Sequence, residues 1–277
     1  MNTRPSADQD ELADYVATQY DRFQDALEQL DKDDKYLNYG YTTDRSQTYE
    51  QRQEALCRLV FDAARVDSAH HLVDVGFGSG AQDLLWARTA EFARLTGFNI
   101  SSNQVAYATR QAALQGLQDR LQFVHGAAED LPGLGAESVD RLLAVECAFY
   151  FRRAAFYRRA AEVLRPGGLL VAADICFNGI ARPLLTVRPD LKRVGTLAGN
   201  RRLWESHFET EEIRPIHRQV RPGVQMTVSR IFQTVPGSGF ARDVRRQWWS
   251  MAFWSQLVAL GLATRILRYD LIVLRRR

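Results

Sequence analysis

The sequence predicts an α/β fold: a doubly wound, mostly parallel, seven-stranded sheet with helices on both faces. Three observations predict it. Between residues 71 and 174, short apolar runs alternate with segments of helical periodicity, the rhythm that βαβ crossovers impose. The first run, Leu72-Val73-Asp74-Val75, feeds Gly76-Phe77-Gly78-Ser79-Gly80, and 81–94 then reads as a helix. Strand, glycine turn and helix in that order open such a sheet. Finally, Asp74, Asn99, Gly126, Glu146 and Asp174 all fall at the ends of successive strands, where parallel sheets bind ligands.

The elements follow in order. Residues 1–7 read as disordered. Over Asp8–Leu30, Leu12, Tyr15, Val16, Gln19, Tyr20, Phe23, Leu27 and Leu30 recur at helical spacing, giving an amphipathic helix with a structural or a lid role. Residues 31–35 are a charged, solvated turn. Tyr36-Leu37-Asn38-Tyr39-Gly40-Tyr41 sets tyrosines around a glycine; such rings either wedge against the core or cover a ligand and shed water from it. A helix is expected over Gln47–Arg65. The second strand, Phe92–Ile100, ends on Asn99, and Ser101 or Ser102 caps a helix that Gly116 stops. Leu121–His125 is the third strand, with Gly126–Pro132 as its exit loop. Ser138–Phe149 is the fourth, followed by a helix over Arg152–Leu164, and Leu169–Ala173 is the fifth, closing on Asp174.

Beyond Asp174 the rhythm changes. Phe177–Gly199 reads as an irregular cover, Arg201–Phe208 as a short helix and Ile213–Val220 as a sixth strand that Pro215 confines to an edge. Ser238–Leu267 is an aromatic helix and Tyr269–Leu274 the last strand. Residues 1–50 thus form a helical lid segment and 51–277 the α/β domain, with variable substrate cover at about 177–210 and 221–265.

The 277 residues are 46% hydrophobic and 25% charged, which suits one large globular domain. A net charge of +3 is too small for a nucleic-acid footprint. Of 36 cationic residues only Lys32, Lys35 and Lys192 are lysines, a compositional bias. Cys57, Cys147 and Cys176 form no CxxC pair, no metal spacing is present, and free thiols suit a reducing cytoplasm. No apolar signal segment and no run of about 18 apolar residues occurs, so no transmembrane helix is expected.

The glycine turn alone is ambiguous. With Ala81 it also satisfies the dinucleotide pattern G-x-G-x-x-G/A, which leaves a nicotinamide enzyme open. Asp74, two residues before Gly76, can hold a cationic ligand, and Gly80 gives the tighter G-x-G-x-G. Asn99, 25 residues past Asp74, can bond ribose hydroxyls.

Together these residues resemble the class I S-adenosylmethionine-dependent methyltransferases, and among them the bacterial small-molecule group that includes the erythromycin-type sugar O-methyltransferases. Sterol and cyclopropane-forming enzymes are more distant. Leu37–Tyr41, Val73–Gly80 with Gln82–Trp86, Gly97–Ser101, Gly126–Pro132, Glu146–Phe151 and Leu164–Gly168 carry the resemblance, which thins in the C-terminal third. It implies a Rossmann-like methyltransferase domain with S-adenosylmethionine as cofactor. Asp74 and Gly76, Gly78 and Gly80 would hold the methionine moiety, which Tyr41 would reach from the lid. Asn99 would take the ribose, Ile100 and Ala127, Ala128 and Glu129 would frame the adenine, and Gln104 and Glu146 would complete the cofactor site. Many relatives carry Asp at the position of Ala127, whose absence removes about one hydrogen bond, ~0.5–1.5 kcal/mol.

For the chemistry, Glu146 and Asp174 are the carboxylates at strand ends facing the ligand. Relatives often carry His where this chain has Tyr150, which can relay a hydrogen bond but is a poor base near neutral pH. His70 and His71 are expected to be solvated and His125 structural, while His207 and His217 could enter the pocket. The aromatic C-terminal helix can pack the core, line an apolar substrate pocket, or touch a membrane surface with Arg242, Arg245 and Arg246. The expected activity is methylation of a hydrophobic small molecule of secondary metabolism, on oxygen. Carbon methylation of an alkene or aromatic ring, and a non-catalytic S-adenosylmethionine-binding protein, are the alternatives.

Overall fold

The computed structural model describes residues 7–29, 36–181 and 194–277. The charged turn at 31–35 and most of the irregular cover lie outside the described residues, as do the side chains of Leu12 and Leu27.

Seven strands form one sheet in the order β3-β2-β1-β4-β5-β7-β6. They are β1 (His71–Val75), β2 (Arg94–Asn99), β3 (Leu121–His125), β4 (Val139–Val145), β5 (Leu164–Phe177), β6 (Phe208–Pro215) and β7 (Leu267–Arg276). Pairings among β1 to β5 are parallel, and β7 runs antiparallel to both β5 and β6. The chain builds outward from β1 through β2 to β3, then returns to place β4 on the other side of β1. The strand order therefore reverses between β1 and β4, and a crevice opens at their C-terminal ends.

The apolar runs explain the layering. Successive side chains on a strand face opposite ways, and here they enter two separate cores. Leu72, Leu143, Val145, Val171 and Val273 join the core beneath α2 (Tyr49–Ala63) and α3 (Ala81–Thr89). Val73, Leu142, Ala144, Leu170 and Ile272 join the one beneath α5 (Arg153–Val163) and α6 (Leu197–Trp204). Both faces are covered, so β1 is buried along its whole length. A third, smaller core joins α1 (Ala7–Gln29) to the helical hairpin α7 (His217–Thr234) and α8 (Arg242–Ala263), through Ala26, Ile231, Phe240, Trp248 and Ala252.

Local signals set the boundaries. Thr48 caps α2 in a reciprocal box with Gln51, and Ser101 caps α4 (Ser102–Leu114) by accepting from the Gln104 N–H at 3.1 Å. The expected sixth strand at 213–220 is displaced: β6 is Phe208–Pro215, and Pro215, with no N–H to give, is its last residue. The short helix expected at 201–208 is α6 at Leu197–Trp204, because Thr196 caps it at Gly199. Residues 217–234 form a helix that the Pro222-Gly223 pair hides from a reading by propensity. His71, expected in solvent, is buried, with its ring nitrogens 3.0 Å from Thr96 Oγ1 and Ser138 O.

Candidate active site

The glycine turn is shaped by close approaches. At Gly76 (φ +67°) a Cβ would lie 2.7 Å from Cys147 Cβ, and at Gly80 (φ +78°) 2.7 Å from Ala108 Cβ. The positive φ values and the lack of room both require glycine. The β1 and β4 exit loops thus pack directly on each other, with Cys147 Sγ donating to Val75 O at 3.0 Å.

Over these loops lies a cavity of about 690 Å³ whose wall includes Gly76, Gly78, Asn99, Ile100, Gln104, Ala127, Ala128, Glu129, Glu146 and Tyr150. That volume suits a cofactor-sized ligand. Asn99 is held in place: its Nδ2 donates to Gln104 Oε1 at 2.8 Å and its Oδ1 accepts from the Ser101 N–H at 3.0 Å. Helix α1 closes over the same end. Asp21 Oδ1 takes the Ser101 hydroxyl at 2.5 Å and the Asn103 N–H at 3.1 Å, a carboxylate at the N-terminus of α4.

A second cavity, about 760 Å³, lies between α1, the tyrosine segment and the α7–α8 hairpin. Its wall is aromatic, with Tyr36, Tyr39, Tyr49, Phe149, Trp248 and Trp254, and carries Arg22, Arg230, Arg246 and Asp243. Four residues belong to both cavities: Tyr20, Leu37, Glu146 and Tyr150. The Tyr20 hydroxyl donates to Tyr150 Oη at 3.1 Å with the rings edge to face.

Glu146 is the best-constrained group at this junction. Its backbone is left-handed, φ +52°, a strained state for a side-chain-bearing residue that persists only where surroundings impose it. Its N–H donates to Ala173 O at 2.9 Å. Its carboxylate accepts the Tyr39 N–H at 3.0 Å and the Tyr269 hydroxyl at 2.6 Å. Burial pushes its carboxyl up to about 8, against the pull of those two donors. Burial likewise raises the Tyr150 phenol.

The segment 36–42 carrying the Tyr39 N–H is clamped from both sides. Gln53 Nε2 donates to Tyr36 O and Asn38 O at 3.0 and 2.7 Å, Tyr41 N–H to Arg52 O at 2.7 Å, and Thr42 N–H to Gln219 O at 2.9 Å.

Four expected site residues line neither cavity. Tyr41 packs against the α2–α3 core and lines neither cavity. Gly80 is the left-handed N-cap residue that turns the chain into α3. Asp74 is fully buried beneath the turn, taking a bond from Gln82 Nε2 at 2.7 Å. Burial raises both it and the adjoining Asp83, which is also fully buried. Asp174 is ion-paired with Arg153 at 2.6 Å, both nearly inaccessible, and lines neither cavity. His207 and His217 also stay outside. Sequence reasoning missed Tyr20, Leu37 and Asn38 as wall residues, although each sits in a stretch it singled out, and missed Tyr269, read only as a strand residue.

The polar atoms fit S-adenosylmethionine. Gln104 Nε2 and Asn38 Oδ1 belong to residues of the cavity wall and are buried without a partner among the described residues. One is a donor beside Asn99, suited to ribose hydroxyls, and the other an acceptor suited to an ammonium. Phe98, Ile100 and Ala128 supply an apolar surface for a purine.

Comparison with known proteins agrees with this geometry. Residues 73–172 match the methyltransferase domain family. The chain is 37% identical over 167 residues to erythromycin 3''-O-methyltransferase of Saccharopolyspora erythraea, covering 59% of this chain and 54% of that enzyme. It therefore spans little more than half the length of that relative. It is 31% identical over 219 residues to the O-methyltransferase resE of Aspergillus sclerotiorum, covering 75% and 80%. The crystal structure of the [4+2]-cyclase SpnF superimposes with a TM-score of 0.82 at 21% identity over 95% of this chain and 96% of that one. The chain belongs to the class I S-adenosylmethionine-dependent methyltransferases. Among the described residues no helix is long and apolar enough to cross a membrane, and no cluster of three or more His, Cys, Asp or Glu could hold a metal.

Proposed function

We propose that this chain transfers a methyl group from S-adenosylmethionine to a hydroxyl oxygen of a hydrophobic small molecule of secondary metabolism. One observation carries the reading: two cavities of ligand size meet at a shared wall of Tyr20, Leu37, Glu146 and Tyr150. Asn99 and Gln104 would hold the ribose, Asn38 the ammonium, and Ile100, Ala127, Ala128 and Glu129 the adenine. When bound, the cofactor supplies an electrophilic methyl carbon on a sulfonium. The aromatic wall holds the acceptor and excludes water, and positioning of that kind can supply about 7–11 kcal/mol of the barrier. Glu146 in its ionised form can take the hydroxyl proton, and Tyr150 can orient the oxygen. The O-methyltransferase names of the relatives support oxygen as the acceptor atom.

The test is mass spectrometry of products formed with methyl-labelled S-adenosylmethionine and a panel of lipophilic alcohols and phenols. Label on oxygen supports the proposal. Label on carbon would replace it with the alternative in which the rings of the second cavity stabilise a cation. Cofactor binding with no transfer to any acceptor would favour a non-methylating role on this fold.

A further inference from the structure

Helix α8 has two chemical faces. Trp248, Ala252, Ser255, Ala259 and Leu262 are buried toward the body of the protein. On the opposite face Trp249, Phe253, Leu257 and Leu260 are 37%, 59%, 39% and 59% exposed. Their spacing of four, four and three residues makes one continuous stripe along the helix. Phe232 of α7, 56% exposed, extends it, with its ring 4.9 Å from that of Trp249. Aromatic and aliphatic side chains lined up in water are costly and mark an interaction surface.

The charge around the stripe says what it meets. Between His217 and Ala263 there are six arginines, at 218, 221, 230, 242, 245 and 246, and one acidic residue, Asp243. The hairpin is thus more positive than the whole chain, at net +3. Arg242, Arg245 and Arg246 are exposed where the stripe begins, and Arg265 is exposed just past its end. A second copy stacked antiparallel on this face would set these arginines against each other, which is repulsive.

We propose that the α7–α8 hairpin docks on an anionic lipid surface. Trp249, Phe253, Leu257, Leu260 and Phe232 enter the interface while the arginines meet the headgroups, the arrangement of a helix lying in the membrane plane. Another flank of α8, with Arg246, Ser250, Met251 and Trp254, lines the second cavity. Docking therefore brings the α8 wall of that cavity, on which Ser250 and Trp254 are exposed, beside the lipid, where a lipophilic molecule can pass into it. The docking does not depend on the methyl-transfer reading.

The experiment is co-sedimentation of the full chain with sucrose-loaded vesicles, phosphatidylglycerol mixed with phosphatidylcholine against phosphatidylcholine alone. The expected result is partitioning to the anionic vesicles that weakens with added salt. Removing charge with Arg242→Gln and Arg245→Gln should weaken it about fivefold per arginine. Combining Phe253→Ser with Leu257→Ser should weaken it by roughly tenfold or more. None of these four residues lines either cavity, so S-adenosylhomocysteine affinity should be unchanged and serves as the folding control. The proposal is overturned if the chain ignores anionic vesicles or if both double variants bind like the parent. It is also overturned if sedimentation velocity shows a dimer that the serine variant dissociates, since a second copy would then cover the face.

Discussion

Replacing Gly223 by alanine opposes two well-founded expectations. Gly223 sits inside α7, where alanine is favoured over glycine by about 0.8–1.0 kcal/mol. Helix propensity alone therefore predicts a stabilised protein. The structure predicts the reverse. A Cβ at Gly223 would fall well inside 3.0 Å of the Tyr39 carbonyl oxygen and 2.9 Å from its carbon. Both atoms are backbone, so no side-chain rotation relieves the contact, and α7 must move away from segment 36–42. Overpacking of this kind costs ~1–3 kcal/mol. The displacement also strains two hydrogen bonds, Thr42 to Gln219 and the Tyr39 N–H to the Glu146 carboxyl, each worth ~0.5–1.5 kcal/mol. With partial relaxation and the propensity gain subtracted, Gly223→Ala should lose about 2–4 kcal/mol net. Urea unfolding with an unchanged m-value measures this directly. Affinity for S-adenosylhomocysteine should fall as well, because the same segment presents Leu37 and Asn38 to the first cavity. A raised unfolding midpoint would refute the close approach of α7 to the segment.

Glu146 should leave a signature in the pH dependence of stability. Its folded carboxyl titrates at about 8 against an ordinary 4.5, so the native protein keeps a proton that the unfolded chain loses. Stability should decline as pH rises from about 4.5 to about 8 and level off above. Glu146→Gln should flatten that part of the curve, measured as Tm at about pH 5 and about pH 9; equal slopes in the two proteins would contradict the assignment. Arg153→Leu should cost about 3–5 kcal/mol by stranding buried Asp174, and adding Asp174→Leu should recover most of it in urea titrations. Asn99→Ala should weaken S-adenosylmethionine and S-adenosylhomocysteine alike by roughly tenfold in calorimetry, since the lost bonds would be to the ribose rather than to the charged sulfur.

The parallel half of the sheet was legible because its apolar runs, turn residues and strand-end polar groups all point the same way. The strands β1 to β5 answer to local patterns, and so do the caps at Thr48 and Ser101. The C-terminal third was less legible. Pro222 and Gly223 argue against a helix in isolation, and only the approach of Tyr39 explains the glycine. At the site, Asn99, Ile100, Gln104 and the Ala127–Glu129 loop could be read from chain rhythm and resemblance and stand on the first cavity. Asp74 and Asp174 occupy similar strand ends yet are buried behind partners, Gln82 and Arg153, that sequence spacing does not pair with them. The second cavity joins residues from both ends of the chain, Tyr20 and Trp254 among them, a juxtaposition that no local pattern encodes.

Titration of the purified chain with S-adenosylhomocysteine tests the assignment of the first cavity most directly. Saturable binding at a single site per chain, weakened by Asn99→Ala and indifferent to added nicotinamide dinucleotide, is the predicted result. Binding of a nicotinamide dinucleotide with no heat from S-adenosylhomocysteine or S-adenosylmethionine would contradict it.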